Sequence, residues 1–251
     1  ESGVEVEKDR LAAMVRRLDG WYDWFTRARQ CEDSGAILVI HPWESGRDNL
    51  SDWDPAMAAV VPDTGLGDYR RRDLEHVDAS QRPTKEEYDR YLTIVRFGRD
   101  CGWDQAHLGK HSPFRMIDPG MTAMLLRSER GLVWLQAQAG QDISATKARI
   151  KRLEDGWRSL WNPRVKGFTS RNLTDGAQTD AVSAASFLGP YAGMLDHLGE
   201  TLDHFDRIAS QVEYMIPSFD PNSEGFDPQR YWRGPVWHVI NTRAGLGLQE
   251  L

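Results

Sequence analysis

Residues 41–54 of this 251-residue chain combine the side-chain types that acid–base chemistry on a sugar requires. The segment holds four carboxylates (Glu44, Asp48, Asp52 and Asp54) together with two tryptophans, an arginine and a glycine. Hydrolysis of a glycosidic bond needs a carboxylic acid whose pKa is raised by burial and nearby charge, and a partner carboxylate that activates water. In an inverting reaction the two carboxyl groups lie about 6.5–9.5 Å apart.

Within this segment Asp48 is the candidate acid, Glu44 its orienting neighbour and Trp43 an apolar platform for a sugar ring. Tryptophan offers a wide apolar face and one N–H donor, and several of the ten tryptophans lie in polar, loop-like stretches. The alternative interpretation is that the acidic residues cap helices and solvate a turn. Composition alone leaves both interpretations open.

A second long loop, predicted at residues 217–234, carries a similar mixture of residues. Trp232 and Trp237 flank a Gly-Pro turn that opens a helix. Loops longer than about 12–15 residues are uncommon in compact domains unless they carry function. We therefore predict that both loops are functional.

The two loops together resemble the family 63 glycoside hydrolases. His-Pro-Trp-Glu-Ser-Gly-x-Asp-Asn begins at residue 41, and Tyr-Trp-Arg-Gly-Pro-Val-Trp begins at residue 231. Within the family the patterns are most similar to those of the bacterial glucosylglycerate and mannosylglycerate hydrolases. The resemblance spans at least residues 36–241, and the family 37 trehalases have a related but shorter Glu-Ser-Gly-x-Asp element.

The resemblance implies an all-α fold, an (α/α)6 toroid in which loops at one end of the helix pairs form a deep pocket. It implies inverting hydrolysis of a small α-glucoside or α-mannoside, most similar to glucosylglycerate or mannosylglycerate, without a metal or organic cofactor. Asp48 matches the general acid. Further matched positions surround the sugar: Trp43 and the Gly46 backbone on one side, and Tyr231, Trp232 and Trp237 on the other.

Arg82 and Tyr88 match positions on a mobile segment that closes over the substrate in the glycerate-specific members. A glycerate carboxylate suits the forked donors of an arginine. Gln-Arg-Pro at residues 81–83 lies just before a predicted helix. The alternative for Arg82 is a solvated surface arginine.

The general base of the family is a glutamate downstream of the second motif, for which this chain offers no match. Glu250 is too close to the motif, and Glu224 precedes it. We therefore name no catalytic base. We expect residues 1–251 to form one catalytic domain, a toroid truncated at both ends, with low stability and low turnover when isolated.

Apolar residues spaced three and four apart predict seven or eight helices of about 12–20 residues and almost no strand. Thr84 and Glu87 have capping-box spacing, which predicts a helix to residue 99. Asp54 and Asp118, each followed by proline, are expected to cap two more helices. The remaining predictions are helices at 11–25, 144–160, 181–195, 199–214 and from about 235, and a hairpin or loop at 167–176.

Charge and composition exclude other classes. With 31 Lys and Arg against 38 Asp and Glu the net charge is −7, so we expect no nucleic-acid partner. No apolar stretch approaches the ~18–20 residues of a membrane helix, and no signal peptide is visible. Cys31 and Cys101 suit buried thiols in a reducing compartment, which indicates a cytoplasmic protein. The dispersed histidines predict no metal site, a small sugar is the expected partner, and the oligomeric state stays open.

Three functions remain open. The favoured one is an inverting hydrolase of a glucoside or mannoside of glycerate. A trehalase-like or oligosaccharide α-glucosidase would use the same chemistry, and a substrate panel would separate the two. A non-catalytic or degenerate sugar-binding protein would keep the Trp-lined cleft and show no hydrolysis.

Overall fold

The structure, a computed structural model, describes residues 7–251 and is mainly helical, as predicted. Within that range six of the nine α-helices have 12 or more residues. No helix of the described range is long and apolar enough to cross a membrane. The helices are α1 Lys8–Arg29, α2 Asp54–Ala58, α3 Lys85–Asp100, α4 Gln105–His111, α5 Pro119–Gln138, α6 Ser144–Arg158, α7 Gly189–Ala192, α8 Leu198–Ala209 and α9 His238–Gln249.

Five two-residue strands form two small antiparallel sheets. One sheet has the order β1-β2-β5 and the other joins β3 to β4. The residues predicted as a hairpin or loop at 167–176 therefore contribute one strand to each sheet. The strands are β1 Leu38–Val39, β2 Met116–Ile117, β3 Trp161–Asn162, β4 Gly167–Phe168 and β5 Arg171–Asn172.

α3 and α5 begin where the capping residues in the sequence predicted. The Thr84 hydroxyl accepts from the Glu87 N–H (3.2 Å), and the Glu87 carboxylate accepts from the Thr84 N–H (2.6 Å), which completes the capping box. Asp118 Oδ1 accepts from the Met121 N–H at 3.1 Å, and Pro119 is the first helical residue. Both caps satisfy backbone N–H groups that have no partner inside the helix.

The prediction of one helix at residues 181–195 is wrong. A 3₁₀ helix, Ala184–Leu188, leads into the single turn of α7. The Ala184 N–H donates to the Ser218 carbonyl (3.1 Å), and the Ser186 hydroxyl donates to the Phe168 carbonyl (2.7 Å). These tertiary hydrogen bonds override the local apolar spacing.

Three further differences from the predictions have similar tertiary causes. Asp54 lies inside the first turn of α2 and does not cap it, because its carboxylate binds Arg233. The last helix begins at His238 and not near Pro235, whose carbonyl accepts from the Ser218 N–H. α4, which has no counterpart among the predicted helices, is capped by the Asp104 side chain.

The core lies around α5, which packs against α1, α6 and α7. The largest fully buried side chains include Trp53, Trp157, Tyr91, Phe114 and Phe168. Trp53 and Trp157 are therefore core residues. They are unavailable to a ligand at the surface.

Residues 59–84, which we call the connecting segment, contain neither an α-helix nor a strand. Two 3₁₀ turns, Arg72–Leu74 and Ala79–Gln81, are the regular structure in this segment. It is longer than either predicted loop, and it ends at the cap of α3. It carries Arg82 into the site described below.

An added methyl group is expected to change stability in opposite directions at two helical glycines. A Cβ at Gly156 in α6 would lie 2.4 Å from the Ala36 nitrogen and 2.5 Å from the Gly35 carbonyl carbon, whereas a Cβ at Gly131 in α5 meets nothing within 4 Å. We expect Gly156→Ala to lower the free energy of unfolding by about 1–3 kcal/mol through overpacking. Gly131→Ala should raise it by about 0.5–1 kcal/mol. Urea unfolding of both variants measures the difference, and equal effects would contradict the packing of α6 on residues 35–36.

Candidate active site

The first motif, residues 41–49, is held in a tight turn. The His41 Nε2–H donates to the Tyr91 carbonyl (3.0 Å), and Nδ1 accepts from the Trp43 N–H (3.1 Å). Burial lowers the pKa of His41, which agrees with a neutral ring in this pair of bonds. Gly46 ends the 3₁₀ helix Pro42–Ser45 at φ 68°, a left-handed conformation that favours glycine.

Glu44 braces this turn. Its Oε1 accepts from Arg29 Nη2 (2.6 Å) and Nε (3.0 Å), and its Oε2 accepts from the Ile40 N–H (2.9 Å). Both carboxylate oxygens are therefore occupied by α1 and by the residue that follows β1. Glu44 therefore orients the motif through its contacts with Arg29 and with the Ile40 backbone.

Asp48, by contrast, is half-buried and makes no hydrogen bond or ion pair to another side chain of residues 7–251. Burial raises the pKa of its carboxyl, and the negative charge of Asp73 adds to the rise, while the positive charge of Arg82 opposes it. A carboxylic acid with a raised pKa can remain protonated until it donates its proton.

Aromatic rings form a wall beside Asp48. Trp43 is 41% exposed, and its ring centroid lies 5.9 Å from that of Tyr88 and 5.7 Å from that of Tyr91. Tyr69 of the connecting segment stacks on Tyr88 at 5.7 Å. The Asp48 charge contributes to the raised pKa values of Tyr88 and Tyr91, after burial, so these rings and the carboxyl share one environment.

Arg82 lies near enough to Asp48 for its positive charge to act on that carboxyl. Its guanidinium stacks over the Tyr231 ring, 4.3 Å from the centroid. Arg82 makes no ion pair within the described range, and its Nε is buried without a hydrogen-bond partner. The nearby Arg71, in contrast, is fully engaged by Asp73 and by the Pro83 carbonyl. Arg82 thus presents a cation that the fold has not neutralised.

The second motif, residues 231–237, is an aromatic cluster. Trp232 is buried and stacks on Trp237, with centroids 4.6 Å apart and planes inclined by 11°. Trp237 Nε1 donates to the Tyr231 carbonyl at 3.0 Å. Tyr231 and Trp237 are partly exposed, so of the three predicted aromatic residues these two offer the larger surface.

The two motifs meet through arginine side chains in and beside the second. Arg233 binds the Asp54 carboxylate through both terminal nitrogens, and its Nε donates to Asn49 Oδ1 (3.2 Å). Arg230 donates to Glu87 at 2.5 Å, and Arg233 reaches the same carboxylate at 3.3 Å. Burial raises the pKa of Glu87, but the Thr84 N–H and the two arginines outweigh burial and hold this pKa below its usual range. Glu87 therefore joins α3 to both motifs, a role that its capping signal alone does not predict.

Two of the cavities that adjoin the first motif are large enough to hold a small molecule. A cavity of about 290 Å³ lies between the two motifs and is lined by residues that include Ser45, Gly46, Arg47, Trp232 and Ile240. A cavity of about 330 Å³ lies behind Trp43 and His41 and is mostly apolar. No group of three or more His, Cys, Asp or Glu side chains that could hold a metal ion is found in the described part of the chain.

A buried charge cluster lies beneath the first motif. Arg47 pairs with Asp118, and Asp52 accepts from the Ser170 hydroxyl (2.8 Å) and the Ser183 hydroxyl (3.2 Å). Burial raises the pKa of Asp52 to about 6, while Arg47 and the serine hydrogen bonds oppose the rise. The sequence indicates acidity at residue 52 but not its burial, because both serines are more than 100 residues away in the chain.

The sequence profile of the family described as the mannosylglycerate hydrolase MGH1-like glycoside hydrolase domain matches residues 2–251. The chain therefore belongs to this family, as its two motifs predicted.

Named relatives agree with this assignment. The mannosylglycerate hydrolase of Thermus thermophilus is 34% identical over 97% of this chain and 60% of the relative. The glucosylglycerate hydrolase of Mycolicibacterium hassiacum is 32% identical over 88% of this chain and 52% of the relative. The chain thus spans between about half and three-fifths of the length of these relatives.

A solved structure matches the fold closely. The GH63 mannosylglycerate hydrolase from Thermus thermophilus, in complex with Tris and D-glycerate, superposes with a TM-score of 0.92 at 33% identity. The match covers 97% of this chain and 59% of that one. The helical arrangement described above is therefore that of a GH63 hydrolase.

The raised pKa of Asp52 predicts a specific pH dependence of stability. Because its folded-state value of about 6 exceeds the ordinary 3.8, the folded protein holds the proton more tightly, and ionisation disfavours folding as the pH rises through this interval. Asp52→Asn keeps an oxygen acceptor for both serines and has no charge to lose. We expect the free energy of unfolding of the variant, relative to that of the wild type, to increase by on the order of 3 kcal/mol between about pH 3.5 and pH 7.

Urea unfolding of both proteins across this pH range measures the difference. Asp142→Asn is the control: hydrogen bonds from Ser144 lower the pKa of this exposed carboxyl, so its pH curve should depart from that of the wild type in the opposite direction. Parallel pH curves for Asp52→Asn and the wild type would show that Asp52 titrates normally and would contradict its burial.

Proposed function

We propose that the protein is an inverting glycoside hydrolase that cleaves an α-mannoside or α-glucoside of glycerate. The observation that carries the proposal is a half-buried Asp48 that lies near Arg82 in an aromatic environment, where neither side chain is ion-paired within residues 7–251. Family membership and the names of the relatives support the same reaction. They favour it over a trehalase-like or oligosaccharide α-glucosidase.

Asp48 is the proposed general acid. Burial raises the pKa of its carboxyl, so it can hold a proton and transfer it to the glycosidic oxygen as the bond breaks. The other carboxylate of the motif, Glu44, is occupied by Arg29 and by a backbone N–H. Glu44 is therefore assigned to holding the turn and not to proton transfer.

The sugar ring is proposed to lie against Trp43 and the backbone at Gly46, with the second motif closing the opposite side. A sugar has an apolar C–H face that fits an indole and a polar rim that needs donors and acceptors. The exposed face of Trp43 and the partly exposed Tyr231 and Trp237 provide such surfaces. Trp232 supports this side through its stack on Trp237.

The glycerate carboxylate is assigned to Arg82, with Tyr88 beside it. Stacking on Tyr231 fixes the guanidinium plane without using its N–H donors. A planar fork of donors suits a carboxylate, and such charge-assisted bonds are stronger than neutral ones. This assignment explains why Arg82, unlike Arg71, has no ion-pair partner in the described part of the chain.

Inversion requires a second carboxylate that activates water on the opposite face of the sugar. The resemblance assigns this role to a glutamate, and we propose no carboxylate of residues 7–251 for it. We further infer that residues 1–251 belong to a single catalytic domain with an (α/α)6 toroid, in which both motifs and the connecting segment lie at one end. The similarity to the GH63 structure supports this arrangement.

Asp48→Asn tests the acid assignment in the natural full-length protein. We expect kcat for mannosylglycerate or glucosylglycerate to fall by roughly 100- to 10,000-fold, because proton donation is lost while the shape is kept. An α-glycosyl fluoride needs little protonation of its leaving group, so its turnover should fall much less. Asp142→Asn, an exposed carboxylate, should leave both rates unchanged.

Proton NMR of the first-formed sugar should show the β-anomer, as inversion requires. Retained activity of Asp48→Asn on the glycerate substrates would contradict the assignment. Binding of these sugars without hydrolysis by the wild type would indicate a non-catalytic sugar-binding protein. Faster hydrolysis of trehalose or maltose than of either glycerate substrate would favour the α-glucosidase alternative.

Arg82→Gln tests recognition of the aglycone. Loss of a charge-assisted carboxylate contact costs about 1.5–3 kcal/mol, so KM for the glycerate substrate should rise by roughly 10- to 100-fold. A methyl glycoside of the same sugar lacks the carboxylate, and its kinetics should be unchanged. Arg99→Gln, at an exposed arginine, removes the same charge as a control. Equal effects of Arg82→Gln on the two substrates would contradict the proposed contact.

A further inference from the structure

We propose that Arg47 is a positioning residue whose buried ion pair with Asp118 holds the backbone of Asp48 in the orientation that proton donation requires. The proposal rests on the function proposed above, because Arg47 can position an acid only if Asp48 is that acid. It does not depend on the identity of the sugar or of the aglycone.

Arg47 immediately precedes Asp48, yet its side chain runs into the protein interior. The residue is 4% exposed, and its Nη2 donates to Oδ2 of the fully buried Asp118. The guanidinium carbon also lies 5.7 Å from the centre of the Trp53 ring. Separating this pair would leave two charges unpaired in the interior, so the side chain has one strongly preferred position.

Asp118 is a rigid anchor for that side chain. Its Oδ1 caps α5 through the Met121 N–H (3.1 Å), and its own N–H donates to the Ile37 carbonyl (3.0 Å). Its carbonyl accepts from the Thr122 hydroxyl (2.8 Å). Through Asp118, Arg47 is therefore tied to both the start of α5 and the apolar run that precedes the first motif.

The space that receives the guanidinium depends on Gly120. A Cβ at this position would lie 2.8 Å from Arg47 Nη2 and 3.0 Å from Asp118 Oδ1. Any side chain at residue 120 would press on the ion pair. The fold thus leaves room for the guanidinium at the first turn of α5.

The residue that follows Asp48 is also held. Asn49 Oδ1 accepts from Arg233 Nε at 3.2 Å, and Asn49 Nδ2 donates to Glu87 at 3.3 Å. The backbone is therefore fixed on both sides of Asp48, while the Asp48 carboxyl bonds no other side chain of residues 7–251. A reacting group held in this way loses little freedom on reaching the transition state, and misplacement by about 1 Å can cost about 100-fold in rate.

Arg47→Lys and Asp118→Asn in the natural full-length protein test the proposal. Lysine keeps the charge but loses the planar fork, and asparagine keeps the cap of α5 but loses the charge. We expect each variant to lower kcat by roughly 100-fold while KM changes by less than about threefold, because the acid is misplaced and the sugar contacts remain.

Arg149→Lys provides a matched control. Arg149 and Glu129 form another buried ion pair against α5, with Nε 2.6 Å from Oε1, and no residue of the first motif takes part in it. This variant should lose stability on a scale similar to Arg47→Lys and keep its kcat at temperatures where the protein is folded. If Arg47→Lys does not fold, Gly120→Ala should still lower kcat, because it crowds the guanidinium without removing a charge.

The outcomes separate the two proposals. An unchanged kcat in the folded Arg47 or Asp118 variants would overturn the positioning role, as would an equal loss of kcat in Arg149→Lys. If Asp48→Asn is inactive while Arg47→Lys is fully active, only the positioning role fails. If Asp48→Asn remains active, the proposed function itself fails.

Discussion

The candidate site depends on the hydrogen bonds and ion pairs of the Arg233 guanidinium. It joins Asp54 and Asn49 of the first loop to Glu87 of α3, three carboxylate or amide groups that no local structure brings together. A planar cation with five donors can satisfy all three at once. Without it, Asp54 would lose its cationic partner and Asn49 its direct bond to the second motif, and the Arg230–Glu87 pair would be the remaining arginine link to α3.

Features with a local cause could be predicted from the sequence. The capping box of Thr84 and Glu87 and the Asp118 cap follow from spacing within four residues, and both are present. The same type of signal fails at Asp54, because Arg233, 179 residues away, takes its carboxylate. The helix expected at 181–195 fails for the same reason, since partners distant in sequence bind its first turn. The family could be predicted because its two motifs are long. The burial of Asp52 and the bonds of Glu87 to Arg230 and Arg233 have no local signature.

Among the charged site residues, Asp48 and Arg82 differ from the others in having no ion-pair partner among residues 7–251. Glu44 and Arg71 resemble Asp48 and Arg82 in residue type, yet each is saturated by neighbouring groups. Asp48 and Arg82 keep their charge-bearing atoms available in one partly buried, aromatic environment. Sequence alone cannot distinguish a saturated charge from an available one, because the saturating groups come from α1, from the backbone and from the connecting segment.

Asp48 should face the glycosidic oxygen of a bound substrate, between the two motifs that Arg233 joins. The most direct measurement is a crystal structure of the full-length Asp48→Asn variant with mannosylglycerate or glucosylglycerate bound. We expect the glycosidic oxygen to lie within hydrogen-bond distance of the residue 48 side chain, about 3.2 Å or less. We also expect the glycerate carboxylate to contact Arg82. A substrate bound in the apolar cavity beside Trp43, out of reach of residue 48, would contradict both expectations.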